Sequence, residues 1–166
     1  MCGIFGFLVA NPDKSAGGQY IQFLERLCLL SETRGKDASG LVVAGQEAVH
    51  ILKRPLRARK LLRTREYGTF KDEMHSIVTD GYPFLAMGHT RMVTNGDAES
   101  HDNNQPVIRD GMVCIHNGIV VNDTLLWKEN PSVNRRFEVD TEIILALLHQ
   151  YRKQGQSMAQ ALGAVF

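Results

Sequence analysis

Hydrophobic and polar positions change their period several times along this chain. Ile4, Phe5, Phe7, Leu8 and Val9 form a short apolar run, closed by the loop residues Asn11-Pro12-Asp13, and predict a buried strand. After a second loop signal at Gly17-Gly18, the segment from Gln19 to Ser31 places Tyr20, Phe23, Leu24, Leu27 and Leu30 at helical spacing. An amphipathic helix is expected there, with Cys28 packed into the core. Leu41 to Ala44 and Val49 to Leu52 read as short strands around a turn at Gly45. Further strands are predicted from Phe84 to His89 and from Met112 to His116. The last periodic segment, Thr141 to Lys153, carries Ile143, Ile144, Leu147 and Leu148 on one face and predicts a helix. Spacing alone therefore supports mixed α and β structure, with no internal repeat and no low-complexity linker.

Composition narrows the classes of function. With 166 residues, 43% of them hydrophobic, the chain can bury a core without cross-links. A formal net charge of +1 provides no global field for a nucleic acid or a membrane surface. The basic run Lys53, Arg54, Arg57, Arg59, Lys60, Arg63 and Arg65 lacks interleaved aromatics. It reads as a solvated helix face or a docking surface rather than a nucleic-acid site. The three cysteines, Cys2, Cys28 and Cys114, fit neither a disulfide framework nor a metal clip, which points to a reducing cytoplasm and no metal. The N-terminal apolar run is too short to span a membrane and has no basic flank before it, so neither a membrane segment nor a signal peptide is expected.

Cys2 is the most informative residue. Removal of Met1 would make it the N-terminus, and one residue would then carry both a nucleophilic thiol and an α-amino group. Such an amine, with an ordinary pKa of about 7.7 to 8.0, can accept the thiol proton near neutrality. The ordinary alternative is a small apolar residue opening a strand.

Other segments are polar where packing alone would not require it. In Arg34-Gly35-Lys36-Asp37-Ala38-Ser39-Gly40 the glycines could bring backbone close to a nucleophile, although a turn between helix and strand is the simpler reading. Arg91 closely follows an apolar strand, and a guanidinium there can hold a carboxylate by parallel hydrogen bonds or form an ordinary surface ion pair. His116-Asn117-Gly118 offers an amide and a glycine N–H, the donors of an oxyanion hole, but Asn-Gly is equally a hairpin signal. Asp140-Thr141-Glu142 reads as an N-cap with a dipole-compatible charge, compatible with binding an ammonium group.

Taken in order, Cys2-Gly3-Ile4-Phe5-Gly6, Arg34-Gly35 with Asp37 and Ser39-Gly40, Gly88-His89-Thr90-Arg91, His116-Asn117-Gly118 and Asp140-Thr141-Glu142 resemble the glutaminase domain of class II glutamine amidotransferases, members of the N-terminal nucleophile hydrolases. The resemblance is nearest to the glucosamine-6-phosphate synthase branch. It implies an α+β fold, a four-layer αββα sandwich, over residues 1–166 as one domain. The C-terminal end of that domain would be missing after Gly163-Ala164-Val165-Phe166.

The resemblance further implies that glutamine is hydrolysed to glutamate and ammonia through a thioester on Cys2. Asn117 and Gly118 would hold the oxyanion, Arg91 the substrate carboxylate and Asp140 its ammonium, while Thr94, Asn95, Gly96 and Arg34 contribute to substrate binding. Ammonia would pass to a synthase domain or subunit, for example in aminosugar synthesis, with no cofactor; self-association into a homo-oligomer is left open. Met92 and Asn95 depart from the tryptophan and histidine usual in the aminosugar branch, and Gln105-Pro106 replaces a His-Pro pair. A papain-like hydrolase built on Cys2, His116 and Asn117 would need its nucleophile at a helix start, whereas a strand follows Cys2. An inactive glutaminase-like binding or regulatory module is the remaining alternative.

Overall fold

The computed structural model describes residues 2–92 and 103–165. Strands β1 (Gly3–Val9), β2 (Ala38–Ala44), β3 (Val49–Arg54) and β4 (Phe84–Arg91) form one antiparallel sheet in the order β1-β4-β2-β3. Helices α1 (Gly17–Ser31), α2 (Ala58–Leu61) and α3 (Arg65–Thr79) pack on this sheet. A short 3₁₀ turn, Lys14–Ala16, leads into α1. The hairpin β5 (Val107–Arg109) and β6 (Met112–Cys114) makes a second sheet, followed by α4 (Asp123–Glu129), α5 (Thr141–Lys153) and α6 (Met158–Val165). The fold is α+β, and no helix among the described residues is long and apolar enough to cross a membrane.

Side-chain alternation divides the larger sheet into two chemically different faces. Phe5, Phe7 and Val9 turn toward the helices and join a core with Leu24, Cys28, Leu41, Val43, Phe70, Met74 and Phe84. The opposite face follows from the register, in which Ile4 pairs with His89, Gly40 with both His89 and Lys53, and Ala38 with Arg91. His89, Arg91 and Lys53 therefore share that face, and Cys2, one residue before β1, falls on it as well. A Cβ at Gly40 would lie 2.1 Å from the Gln105 carbonyl oxygen, so glycine lets the 103–106 segment cross the sheet in close contact.

Several elements depart from the sequence expectation. Helix α1 begins at Gly17, so Gly17-Gly18 are helical, and it buries Ile21, Leu24 and Cys28 while Phe23 and Leu30 stay exposed. The buried stripe runs through Ile21, Leu24 and Cys28, whose three-, four- and seven-residue spacing is that of one helix face. Ala38, Ser39 and Gly40 belong to β2 rather than to a turn: they pair with β4, and the Asp37 N–H already donates to the Arg91 carbonyl at 3.0 Å. Strand β6 ends at Cys114, before His116.

Helix α3 was not expected, although its signal is present. The Thr64 hydroxyl caps it by accepting from the Tyr67 N–H at 3.1 Å, and Tyr67, Phe70, Met74, Ile77 and Val78 bury one stripe. The hairpin turn of the second sheet lies at Asp110-Gly111, both with positive φ, which suits glycine and tolerates aspartate. Asn117-Gly118 makes no hairpin, because no strand follows it among the described residues.

The basic run is not a continuous solvated face. Lys53 is buried in β3, and its Nζ donates to the carbonyl oxygens of Asn104 at 2.9 Å and Pro106 at 3.1 Å. Arg54 donates to the Lys53 carbonyl and to Glu66. The middle of the run forms the four-residue α2, and its last residue, Arg65, opens α3.

Candidate active site

Pairing of Gly3 with Thr90 brings Cys2 beside the end of β4. There the Met92 N–H approaches the Cys2 Sγ at 3.3 Å, and the thiol reaches the Met92 carbonyl at 3.5 Å. The Asn117 carboxamide arrives from the far side of the chain, its Nδ2 donating to the Cys2 carbonyl at 2.9 Å. Cys2, Arg91, Gly118 and Asp140 line one small cleft of about 40 Å³, together with His89, Gln105 and His116. A larger cavity of about 510 Å³ opens near Arg109, Arg136 and His149, but none of the expected site residues lines it.

Arg91 is buried rather than a surface ion pair, and its Nη1 donates to the Asn104 Oδ1 at 2.8 Å. Asp140 stands at the N-cap position of α5 but does not cap it, because its own backbone is already helical. Its carboxylate instead accepts from the Val120 N–H at 2.7 Å, which tethers the segment after Gly118. Thr141 Oγ1 lies 3.5 Å from the Asp140 Oδ1 and 3.3 Å from the His116 Nδ1.

Arg34 is exposed in the turn after α1, where its N–H donates to the Ser31 carbonyl at 2.9 Å, and it does not line the cleft. Thr94, Asn95 and Gly96 lie outside the described residues.

Three further groups shape the site. His89 is 1% exposed, and neither ring nitrogen has a hydrogen-bond partner among the described residues. Burial, reinforced by the nearby Arg91 and His116, holds its pKa down to about 4, so the ring is neutral at neutral pH. Its two-residue offset from Arg91 on a strand would have placed both on one face from sequence alone. Gln105, noted in the sequence only as a departure, faces the His116 peptide with its carboxamide.

Glu142 is the third group, fully buried rather than a solvated first-turn charge. It pairs with the Arg109 guanidinium and accepts from the N–H groups of Arg136 at 3.0 Å and Phe137 at 2.8 Å. Arg109 also lies over the Trp127 ring, 5.7 Å from its centroid. This pair fixes the loop that delivers Val139 and Asp140 to the cleft. Nothing local in the sequence distinguishes Glu142 from an ordinary N-terminal helix charge, since its partner is 33 residues away.

The glutamine amidotransferase domain family matches residues 89–166. The glutamine–fructose-6-phosphate aminotransferase (isomerizing) of Listeria monocytogenes is 32% identical over 155 residues, covering 91% of this chain and 22% of its own. That of Xylella fastidiosa strain 9a5c is 30% identical, covering 98% of this chain and 24% of its own. The chain thus spans about a quarter of the length of the curated relatives it matches. Among solved structures, the Bacillus subtilis glutamine phosphoribosylpyrophosphate amidotransferase superposes with a TM-score of 0.65 at 22% identity, over 99% of this chain and 32% of that one. A regulatory enzyme of purine biosynthesis superposes with a TM-score of 0.69, also at 22% identity and over 99% of this chain and 32% of that one. Residues 89–166 thus belong to the glutamine amidotransferase domain family, and nearly the whole chain is similar to the glutamine–fructose-6-phosphate aminotransferases.

Proposed function

We propose that this chain hydrolyses the side-chain amide of glutamine to glutamate and ammonia, with Cys2 as the N-terminal nucleophile. The observation that carries the reading is the 2.9 Å bond from Asn117 Nδ2 to the Cys2 carbonyl, within a site that also holds Arg91, Gly118 and Asp140. An amide nitrogen carries two hydrogens, so this bond leaves one to meet an oxyanion formed beside Sγ.

The α-amine of Cys2 takes the thiol proton, and the thiolate adds to the amide carbon. Asn117 Nδ2 and the Gly118 N–H stabilise the resulting oxyanion. Collapse breaks the C–N bond, the α-ammonium returns the proton to the leaving nitrogen, and ammonia departs from a thioester. Water, deprotonated by the same amine, adds to the thioester; glutamate leaves and the thiol is restored. Arg91 faces the substrate carboxylate and Asp140 its ammonium. Thr94, Asn95 and Gly96 complete the substrate site in this reading.

Residues 1–166 then act as the glutaminase part of an ammonia-transferring enzyme. Its two sheets, with α1 and α3 outside one and α5 outside the other, are the layers of an αββα sandwich. The relatives named as fructose-6-phosphate aminotransferases support a synthase domain or subunit as receiver of the ammonia, in aminosugar synthesis. Three free cysteines suit a reducing cytoplasm.

The test is glutamate release from glutamine by the wild-type protein and by Cys2→Ala. Turnover by the wild type alone supports the reading. Equal turnover removes Cys2 from the chemistry, and none in a processed wild type favours an inactive binding module.

A further inference from the structure

The hairpin of the second sheet stops just short of the proposed oxyanion donors. Val107 pairs with Cys114, and the same antiparallel register, continued, sets Gln105 opposite His116. Pro106 has no N–H, so the backbone ladder cannot run on through it. At the next position a side chain takes over. The Gln105 Oε1 accepts from the His116 N–H at 2.6 Å, and its Nε2 donates to the His116 carbonyl at 2.7 Å. Both ends of one residue's backbone are thus held by the single carboxamide of Gln105, a buried residue.

The segment's other holds are made by side chains, Asn117 to the Cys2 carbonyl and the His116 ring beside the Thr141 hydroxyl. Among the described residues no backbone-to-backbone hydrogen bond holds His116, Asn117 or Gly118. The Gln105 Nε2 also lies 3.3 Å from the Thr141 Oγ1, which neighbours Asp140. Gln105 itself is anchored from both sides. Asn104 receives the Arg91 guanidinium on its side chain and Lys53 on its carbonyl, and Lys53 also binds the Pro106 carbonyl.

We infer that Gln105 is a positioning residue for glutamine hydrolysis, its two-point clamp on His116 setting Asn117 and Gly118 where the oxyanion forms. The inference rests on the glutaminase reading above. A clamp of this geometry needs one donor and one acceptor on a planar group. A carboxylate has only acceptors and repels the His116 carbonyl, whereas a protonated carboxylic acid restores the pair. Methionine matches the length of glutamine and offers neither function of comparable strength.

The experiment compares steady-state glutamine hydrolysis by wild type, Gln105→Met and Gln105→Glu. Misplacing an oxyanion donor costs about 10² in kcat, so Gln105→Met should lose about that factor with KM altered less than threefold. The kcat of Gln105→Glu relative to wild type should rise about tenfold or more from about pH 8 to about pH 5.5, as the acid form accumulates. A merely structural role would leave that ratio flat. Hydrogen exchange on the wild type needs no variant to fold, and it should find the His116 amide protected. Wild-type turnover with an unaffected Gln105→Met, a flat ratio, or an unprotected His116 amide would overturn the clamp. A wild type without turnover would instead overturn the glutaminase reading on which it rests.

Discussion

Asn117 donates its side-chain Nδ2 to the backbone carbonyl of Cys2 at 2.9 Å, joining residues 115 positions apart. The contact couples the loop after β6 to the start of β1, so the proposed nucleophile and its proposed electrostatic partner are fixed to each other. Asn117→Ala should lower kcat for glutamine hydrolysis by about 10² to 10³ and change KM little, as measured by steady-state kinetics. A change in KM alone would assign Asn117 to ground-state binding.

Arg91 and Asp140 are proposed to hold opposite ends of the same substrate. A hydrogen bond to a charged group contributes about 1.5 to 3 kcal/mol, so Arg91→Lys should reduce kcat/KM for glutamine about ten- to hundredfold, mainly through KM. Asp140→Asn should weaken discrimination between glutamine and an analogue lacking the α-ammonium. Competition assays with that analogue check the pairing.

His89 predicts an acid limit to stability. Its pKa is lowered from 6.5 to about 4 in the folded chain, so the unfolded state binds more protons at mildly acid pH. The stabilisation is present above about pH 6.5 and is lost as pH falls toward 4, by about 3 kcal/mol in all. Urea unfolding between those limits should show this slope in wild type, and His89→Gln should flatten it.

Glu142 and Arg109 form a buried pair, and removing one charge strands the other. Glu142→Ala should cost about 3 to 5 kcal/mol of unfolding free energy, and Glu142→Gln less, because the amide oxygen still accepts from the Arg136 and Phe137 N–H groups. Exchanging both residues for apolar ones should recover part of the loss. Denaturant unfolding of the double and single variants measures the difference.

The parts of this molecule that follow from local pattern were legible before the structure. The period of Leu41 to Ala44 and of Thr141 to Lys153 located β2 and α5, and the order of the polar segments pointed to the family. Helix α3 was legible too, from Thr64 onward, but its apolar stripe is diluted by charge. The misread positions depend on distant partners instead. Lys53 looked solvated because the carbonyls it serves lie on Asn104 and Pro106, about fifty residues away. Glu142 looked like a dipole charge because Arg109 is distant in sequence, on β5, and Gln105 looked incidental because its clamp exists only once the hairpin has formed.

The central claim is an N-terminal thiol facing a glutamine pocket, and intact mass spectrometry tests it directly. The purified protein is weighed before and after treatment with diazo-oxo-norleucine, a glutamine analogue that alkylates such a nucleophile. The account predicts loss of Met1 and one added adduct, mapped to Cys2 and prevented by excess glutamine. A free, processed Cys2 that stays unlabelled, or an adduct on Cys28 or Cys114, would contradict it.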